Sequence, residues 1–223
     1  MLDFQGIQIS WLGHASFKIE TKDKIIFIDP YDIETTDRAD YIFITHIHHD
    51  HFSLEDIENI KKPSTIIVAT SDCAAKLGDY VRAIKPDQPL EFENLKVQAI
   101  PAYNTHHFKS PGVPFHPKES NWVGFILEIN NVRIYHAGDT DKIPEMENIQ
   151  CDIAMLPVGG TYTMDAEEAA QVANQIKPDL AIPMHWGKIV GTHKDARIFS
   201  EKSEVEVRIM GKQSTRPEKH FVA

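Results

Sequence analysis

Short apolar runs alternate with polar breaks along most of this chain, and their spacing switches between the period of a strand and that of a helix. Ile7–Trp11, Phe17–Thr21 and Ile25–Asp29 are brief runs of β-branched and aromatic residues between turn formers, and predict strands. Asp40–Thr45 and Thr65–Ala69 are more continuously apolar, as buried strands are. Between them Leu54, Ile57 and Ile60 fall on one face of a helix over 54–62, with Ser53 as its N-cap. Ser71–Leu77 reads as a short helix capped by Ser71 and ended by Gly78. Strand character returns at Leu95–Ile100. Val123–Ile129 and Val132–His136 pair across the turn-prone Asn130-Asn131. Asp152–Leu156 and Leu180–Met184 are strands on either side of a helix over 165–176. Asp165 caps that helix, and Ala166, Ala169, Ala170, Ala173 and Ile176 form its packing face. Ala196–Lys202 reads as helix, Glu204–Ile209 as a last strand, and the polar tail after Gly211 as loosely held. Asn104–Asn121, with three prolines and a glycine, reads as a long loop of the kind that often carries function.

Strands, then helices among strands, then strands again predict an α+β fold of two sheets packed together with helices outside. No low-complexity linker divides the chain, so a single domain over 1–223 is expected. The 223 residues are ample for a hydrophobic core. With 23 basic and 33 acidic residues the formal charge is -10, which gives no broad attraction to nucleic acid or to an anionic membrane. No long apolar run predicts a membrane span, and the start lacks the basic-then-apolar pattern of a signal peptide. A cytoplasmic protein is therefore expected. Cys73 and Cys151 lie far apart without CxxC spacing and read as free thiols.

The twelve histidines change the picture, because they cluster. His46, His48, His49 and His51 fall within six residues, and His106, His107 and His116 crowd the long loop. Candidate ligands also stand just past three apolar strands: the His46 group, Asp139 and His185. Such strand ends fix the backbone while the following loop places the side chain. In Thr45-His46-Ile47-His48-His49-Asp50-His51, extended backbone points His46 and His48 to one side. A turn then brings Asp50 and His51 to a neighbouring point. That suits two metal ions better than one, and imidazoles with one carboxylate suit zinc, manganese or iron better than calcium or magnesium.

The THxHxDH word over 45–51 resembles the signature of the metallo-β-lactamase superfamily. Gly138-Asp139-Thr140 resembles its later aspartate motif, and Pro183-Met184-His185 its final histidine. The words Trp11-Leu12-Gly13-His14-Ala15-Ser16, Pro101-Ala102-Tyr103-Asn104, Tyr135-His136-Ala137-Gly138-Asp139-Thr140 and Gly159-Gly160-Thr161-Tyr162 are similar to those of its small hydrolases, among them ascorbate-6-phosphate lactonase-like proteins. The resemblance runs from about Ile7 to about Val190. It implies an αββα sandwich of two mixed sheets. It implies that His46 and His48 bind one metal with a third histidine, that Asp50, His51 and His185 bind a second, and that Asp139 bridges both. The relatives place the third histidine where this chain has Asn104. His116, stiffened by Pro114 and Pro117, is the first choice for that ligand and His107 the second; alternatively, Asn104 leaves the first metal weakly bound.

The remaining candidates follow from position. Asp29 ends a strand and reads as a carboxylate behind one ligand histidine. His14 follows a strand through Gly13 and, with Tyr162, is a candidate for touching substrate. Trp186 could line the same pocket. Lys109 and Lys188 read as solvated lysines, His49 as pointing away, and His136 as buried and hydrogen-bonded. The expected activity is hydrolysis of an ester-type small molecule, a lactone or a phosphodiester, by a hydroxide bridging two divalent ions, zinc ahead of manganese or iron. Asp50 would orient the nucleophile and pass the proton. The rival readings are a non-catalytic metal- or ligand-binding module, which Asn104 favours, and a di-iron redox protein, which His48 disfavours. Assembly as a homo-oligomer stays open.

Overall fold

The computed structural model describes residues 1–214. Seven strands form a first sheet in chain order: β1 (Leu2–Phe4), β2 (Ile7–Gly13), β3 (Ser16–Glu20), β4 (Ile25–Ile28), β5 (Tyr41–Ile44), β6 (Ile66–Thr70) and β7 (Arg82–Ile84). Pairing is antiparallel from β1 to β4 and parallel from β4 to β7. The chain then builds β8 (Pro89–Phe92), β9 (Leu95–Pro101), a small hairpin of β10 (Phe108–Ser110) and β11 (Val113–Pro114), β12 (Val123–Ile129), β13 (Val132–His136), β14 (Ile153–Pro157) and β15 (Leu180–Met184). The second sheet has the order β15-β14-β13-β12-β9-β8. It too is antiparallel through its first half and parallel from β13 to β15. Both sheets are mixed, as expected.

Alternation along the strands sets the layers, because successive side chains point to opposite faces. In β5, Tyr41 and Phe43 belong to the core between the sheets, while Ile42 and Ile44 face a separate cluster under the helices. Phe43 meets Phe125 of β12 across the interface, ring centroids 5.2 Å apart. Outside the first sheet, α1 (Leu54–Ile60) buries Ile57 and Ile60, and α2 (Ser71–Leu77) buries Cys73. Against the second sheet lie α3 (Ala166–Ile176) and α4 (His193–Lys202), which also pack on each other. Side chains buried this fully contribute about 1.5–3 kcal/mol each for a Val, Leu, Ile or Phe. The order is helix, sheet, sheet, helix. Among the described residues no helix is long and apolar enough to cross a membrane.

Several sequence expectations hold in detail. Ser53 accepts from Asp56 N, Asp165 accepts from Glu168 N, and Asn130 and Asn131 both take positive φ in the β12–β13 turn. Others need correction. The cap of α2 is Thr70, not Ser71, and its hydroxyl is drawn to Asp72 Oδ1, which itself accepts from Cys73 N. The last helix begins at His193, three residues before Ala196, because Thr192 and Asp195 close a reciprocal capping box. Glu204–Ile209 is not a strand: it makes one parallel bridge, Val207 to Ala181, at the free edge of β15. The stretch 104–121 is folded as the β10–β11 hairpin and a 3-10 turn at Lys118–Ser120 rather than left open. β1, β7 and β8 were not foreseen; they are short edge or near-edge strands with exposed residues. Part of the tail is anchored, since Gln213 N donates to Trp11 O at 2.9 Å. The rest of that tail, 215–223, lies outside the described residues.

Gly124 in β12 shows how closely the second sheet approaches the loop after β13. A Cβ there would sit 2.5 Å from Ala137 O and 2.6 Å from His136 O, both backbone atoms. Gly124→Ala should therefore destabilise the fold by about 1–3 kcal/mol, the usual cost of overpacking. Urea unfolding measures it, and an unchanged midpoint would contradict this contact.

Candidate metal centre

The candidate ligands stand where parallel strands of both sheets end. β4 ends into Asp29, β5 into Thr45 and His46, β13 into Ala137-Gly138-Asp139, and β15 into His185. The two sheets are tied at this end by Val123 N donating to Thr45 O at 3.2 Å. Gly138 has φ +65°, and a Cβ on it would lie 2.8 Å from Val123 O and 3.3 Å from Thr45 Cβ. Only glycine lets the second sheet bring Asp139 this close to the first.

His46, His48 and His116 form one group. His48 Nδ1 lies 3.2 Å from both His46 Nε2 and His116 Nε2. The other ring nitrogens show why these face inward with lone pairs. Thr45 Oγ1 donates to Asp29 Oδ2 at 2.6 Å, so it can only accept from His46 Nδ1 at 2.9 Å. His116 Nδ1 donates to Asn104 Oδ1 at 2.8 Å. With Nδ1 carrying the proton in both rings, both Nε2 atoms are free electron pairs. Asn104 also accepts from His116 N at 2.7 Å and is itself held through Nδ2 by Asp141 Oδ1 and Tyr162 O, at 2.7 and 2.9 Å.

A second group gathers Asp50, His51, His185 and His14. Asp29 Oδ2 accepts from His51 Nδ1 at 2.7 Å, turning His51 Nε2 inward. His51 returns to the cluster through a turn in which its N–H and that of Phe52 donate to His48 O. Asp50 Oδ2 lies 2.9 Å from His14 Nε2 and 3.9 Å from both His51 Nε2 and His185 Nε2. Asp139 stands between the groups. Its Oδ2 is 3.2 Å from His116 Nε2 and 3.1 Å from His185 Nε2, and its Oδ1 is 3.1 Å from His51 Nε2. The side chains of His46, His51, His116, His185 and Asp139 are at most 3% exposed.

Burial dominates the electrostatics. It drives His46 well below the ordinary histidine pKa and brings His48 and His14 down to about 4, each with help from neighbouring histidines. For Asp139 and Asp50 burial works the other way, yet His185 and His51 around Asp139, and the hydrogen bond from His14 to Asp50, hold both carboxyls below the usual range. His51 is also opposed by burial, but Asp139 and Asp29 on its two sides raise its pKa well above normal. Carboxylates held ionised at Asp50 and Asp139, beside imidazoles that burial keeps neutral at His14, His46 and His48, make a site that favours cations.

The donor set fits metal ions. His51 Nε2, His185 Nε2 and Asp139 Oδ1 are buried without a hydrogen-bond partner. Such atoms are costly unless something binds them, at about 1–3 kcal/mol each. Nitrogens held at 2.0–2.1 Å by one tetrahedral ion lie roughly 3.3 Å apart, close to the 3.2 Å spacings around His48. His46, His48 and His116 could hold one ion, Asp50, His51 and His185 another, with Asp139 facing both.

The structure thus brings together His46, His48, Asp50, His51, His116, Asp139 and His185, and puts Asp29 behind His51. His116, not His107, reaches the first group; His107 Nδ1 is engaged by Asp141 Oδ1 at 2.6 Å. His14 is 2% exposed and holds Asp50 through Nε2. Tyr162 lines the mouth, a cavity of about 210 Å3 shared with His48, Asp50, Phe115, His116 and Ile189. Trp186 stacks on Trp11 elsewhere. His49 points outward, and His136 is buried with Nε2 donating to Ala15 O. Lys188 is paired with Asp32 at 2.5 Å. Sequence reasoning missed Asn104 as the holder of His116 and Asp141 as the anchor of the loop, which accepts from the backbone of Thr105, His106 and His107.

The sequence matches the family model described as beta-lactamase superfamily domain over residues 8–185. It is 33% identical over 221 residues to a UPF0173 metal-dependent hydrolase of Nanoarchaeum equitans, covering 92% of this chain and 97% of that one. Among solved structures it is similar to a protein of Parabacteroides distasonis proposed to be a metal-dependent hydrolase, with TM-score 0.82 and 32% identity over 93% of this chain and 94% of that one. It is also similar to a metallo hydrolase of Ignicoccus hospitalis, with TM-score 0.75 and 25% identity over 93% and 96%.

Asp29 accepts from Thr45 N, Thr45 Oγ1 and His51 Nδ1 and is fully buried. Asp29→Ala strands these donors and should lower unfolding stability by about 3 kcal/mol or more. Asp32→Ala, which removes half-exposed ion pairs, should cost about 0–1 kcal/mol. Urea unfolding of chelator-treated protein compares the two, and equal losses would contradict the role given to Asp29.

Proposed function

The chain belongs to the beta-lactamase superfamily and, within it, to the UPF0173 metal-dependent hydrolases, and from that premise we propose that it hydrolyses an ester-type small molecule with two divalent ions. The ligands are His46, His48 and His116 for one ion and Asp50, His51 and His185 for the other, with Asp139 between them. The observation that carries this reading is the position of Asp139, one of whose oxygens lies 3.1–3.2 Å from a histidine of each group. The ions supply Lewis acidity toward a carbonyl or phosphoryl oxygen and make water acidic near neutral pH. Zinc suits a set this rich in imidazole better than manganese or iron does.

The chain's own residues account for the rest. His14 Nε2 donates to Asp50 Oδ2 and fixes the carboxylate at the mouth. Asp50 Oδ1, 3.6 Å from exposed His49, is the atom that takes the proton from attacking water and returns it to the leaving group. Phe115, Tyr162 and Ile189 wall the mouth and limit water around the scissile bond. A lactone and a phosphodiester both fit this chemistry, since each presents an electrophile flanked by oxygens.

Elemental analysis of protein purified without chelator or histidine tag should find about two equivalents of metal per chain. His48→Ala should lower both metal content and hydrolysis of whichever class, lactone or phosphodiester, a direct screen finds active. Hydrolysis that survives in His48→Ala after metal removal would overturn the proposal. Asn104→Ala should weaken one of the two ions by about 10–100-fold, the usual effect of losing the partner behind a ligand histidine. Competition with a chromophoric chelator reads this directly, and two unchanged affinities would remove His116 from the ligand set.

A further inference from the structure

A second cavity, of about 290 Å3, is lined by Trp11, His14, Tyr31, Trp186, Lys188 and Lys212 and is not used by the chemistry above. Trp11 and Trp186 are stacked in its wall, ring centroids 4.7 Å apart and planes 24° from parallel, and Tyr31 adds a third aromatic ring. Two ammonium groups reach its rim. Lys188 Nζ and Lys212 Nζ share the carboxylate of Asp32 at 2.5 and 3.1 Å, and a second carboxylate, Asp56, stands beside it and accepts from Asp32 N. Lys212 is held there because its stem lies over Gly13 and the next residue, Gln213, donates through N to Trp11 O. His14 also lines the cavity. Its Nε2 fixes Asp50, while its buried Nδ1 has no hydrogen-bond partner.

These features describe a ligand by its chemistry. A dry cavity of about 150 Å3 admits one benzene ring, so this one has room for a fused pair of rings. Aromatic walls favour a flat apolar body, and two neighbouring ammonium groups, each with three N–H donors and one shared carboxylate, offer unspent donors to an anion at its edge. We infer that this cavity binds a flat, aromatic organic anion, its ring system against Trp11 and Trp186 and its anionic group on Lys188 and Lys212.

Naphthalene-1-sulfonate is the probe, titrated into the purified full chain by tryptophan fluorescence and calorimetry, beside the uncharged naphthalen-1-ylmethanol. Saturable binding is expected, about tenfold tighter for the sulfonate. The double variant Lys188→Ala, Lys212→Ala should lose that preference while still binding both compounds weakly. A Cβ at Gly211 would meet no atom within 4 Å, so Gly211→Leu should fill the cavity and abolish binding of both without loss of fold by circular dichroism. Binding should persist after chelation, which separates this cavity from an anion held by metal. No saturable binding, equal affinity for the two probes, or indifference to Gly211→Leu would overturn the inference. Failure of the metal and hydrolysis measurements with this binding intact would overturn only the hydrolase reading.

Discussion

Carboxylates buried where two apolar sheets end are the constraint on which this structure depends. Asp29, Asp50 and Asp139 are at most 7% exposed, and no lysine or arginine reaches any of them among the ion pairs of the described residues. Taking such groups out of water costs several kcal/mol each unless they are paired and hydrogen-bonded. Here histidine supplies the pairing. Asp29 is fully satisfied by Thr45 and His51, whereas Asp139 is faced by ring nitrogens of His51, His116 and His185, and its Oδ1 has no hydrogen-bond partner. The contrast separates two roles under the proposed assignment: one carboxylate orients a histidine, and the other would face both ions.

The scaffold meets this constraint by repeating one construction. Each sheet runs antiparallel and then parallel, and the parallel strands of both end at the same place. The backbone bends sharply there: His14, Asp29 and His185 all adopt positive φ, at 51°, 46° and 60°. Non-glycine residues in that region cost about 1–3 kcal/mol each. Core packing around Phe43 and Phe125 and the hydrogen bonds of Asp29 offset that strain. His185 N bonds to His14 O, so two of the strained residues hold each other.

Much of this was legible in the sequence because strand periodicity and ligand spacing are local. His46 to His51 carry their geometry within one strand end and one turn, and Asp139 and His185 repeat the same pattern of an apolar run followed by a polar group. The edge strands β1, β7 and β8 were not legible, since half-exposed residues such as Arg82 and Glu91 blur the alternation. The bridge at Val207 was overread as a strand because alternation of Val205, Val207 and Ile209 with charges satisfies the pattern whether or not a ladder forms. The burial of His14 depended on Asp50, thirty-six residues away, and no local signal reports such a distance.

Asn104 is where reading by position failed and reading by hydrogen bonds succeeds. At the place of an expected histidine, it looked like a lost ligand, and that loss was the one feature favouring a non-catalytic protein. In the fold its amide oxygen accepts two hydrogen bonds from His116, and its amide nitrogen donates to Asp141. An amide does this better than a carboxylate would, because it must accept on one side and donate on the other. Asp141 in turn gathers the backbone of residues 105–107, so the long loop folds onto one buried carboxylate and delivers His116 to the cluster from the far side. Under the proposed assignment the imidazole has moved along the chain by twelve positions, and the vacated position has become its support. With His116 in that role, Asn104 no longer argues against turnover.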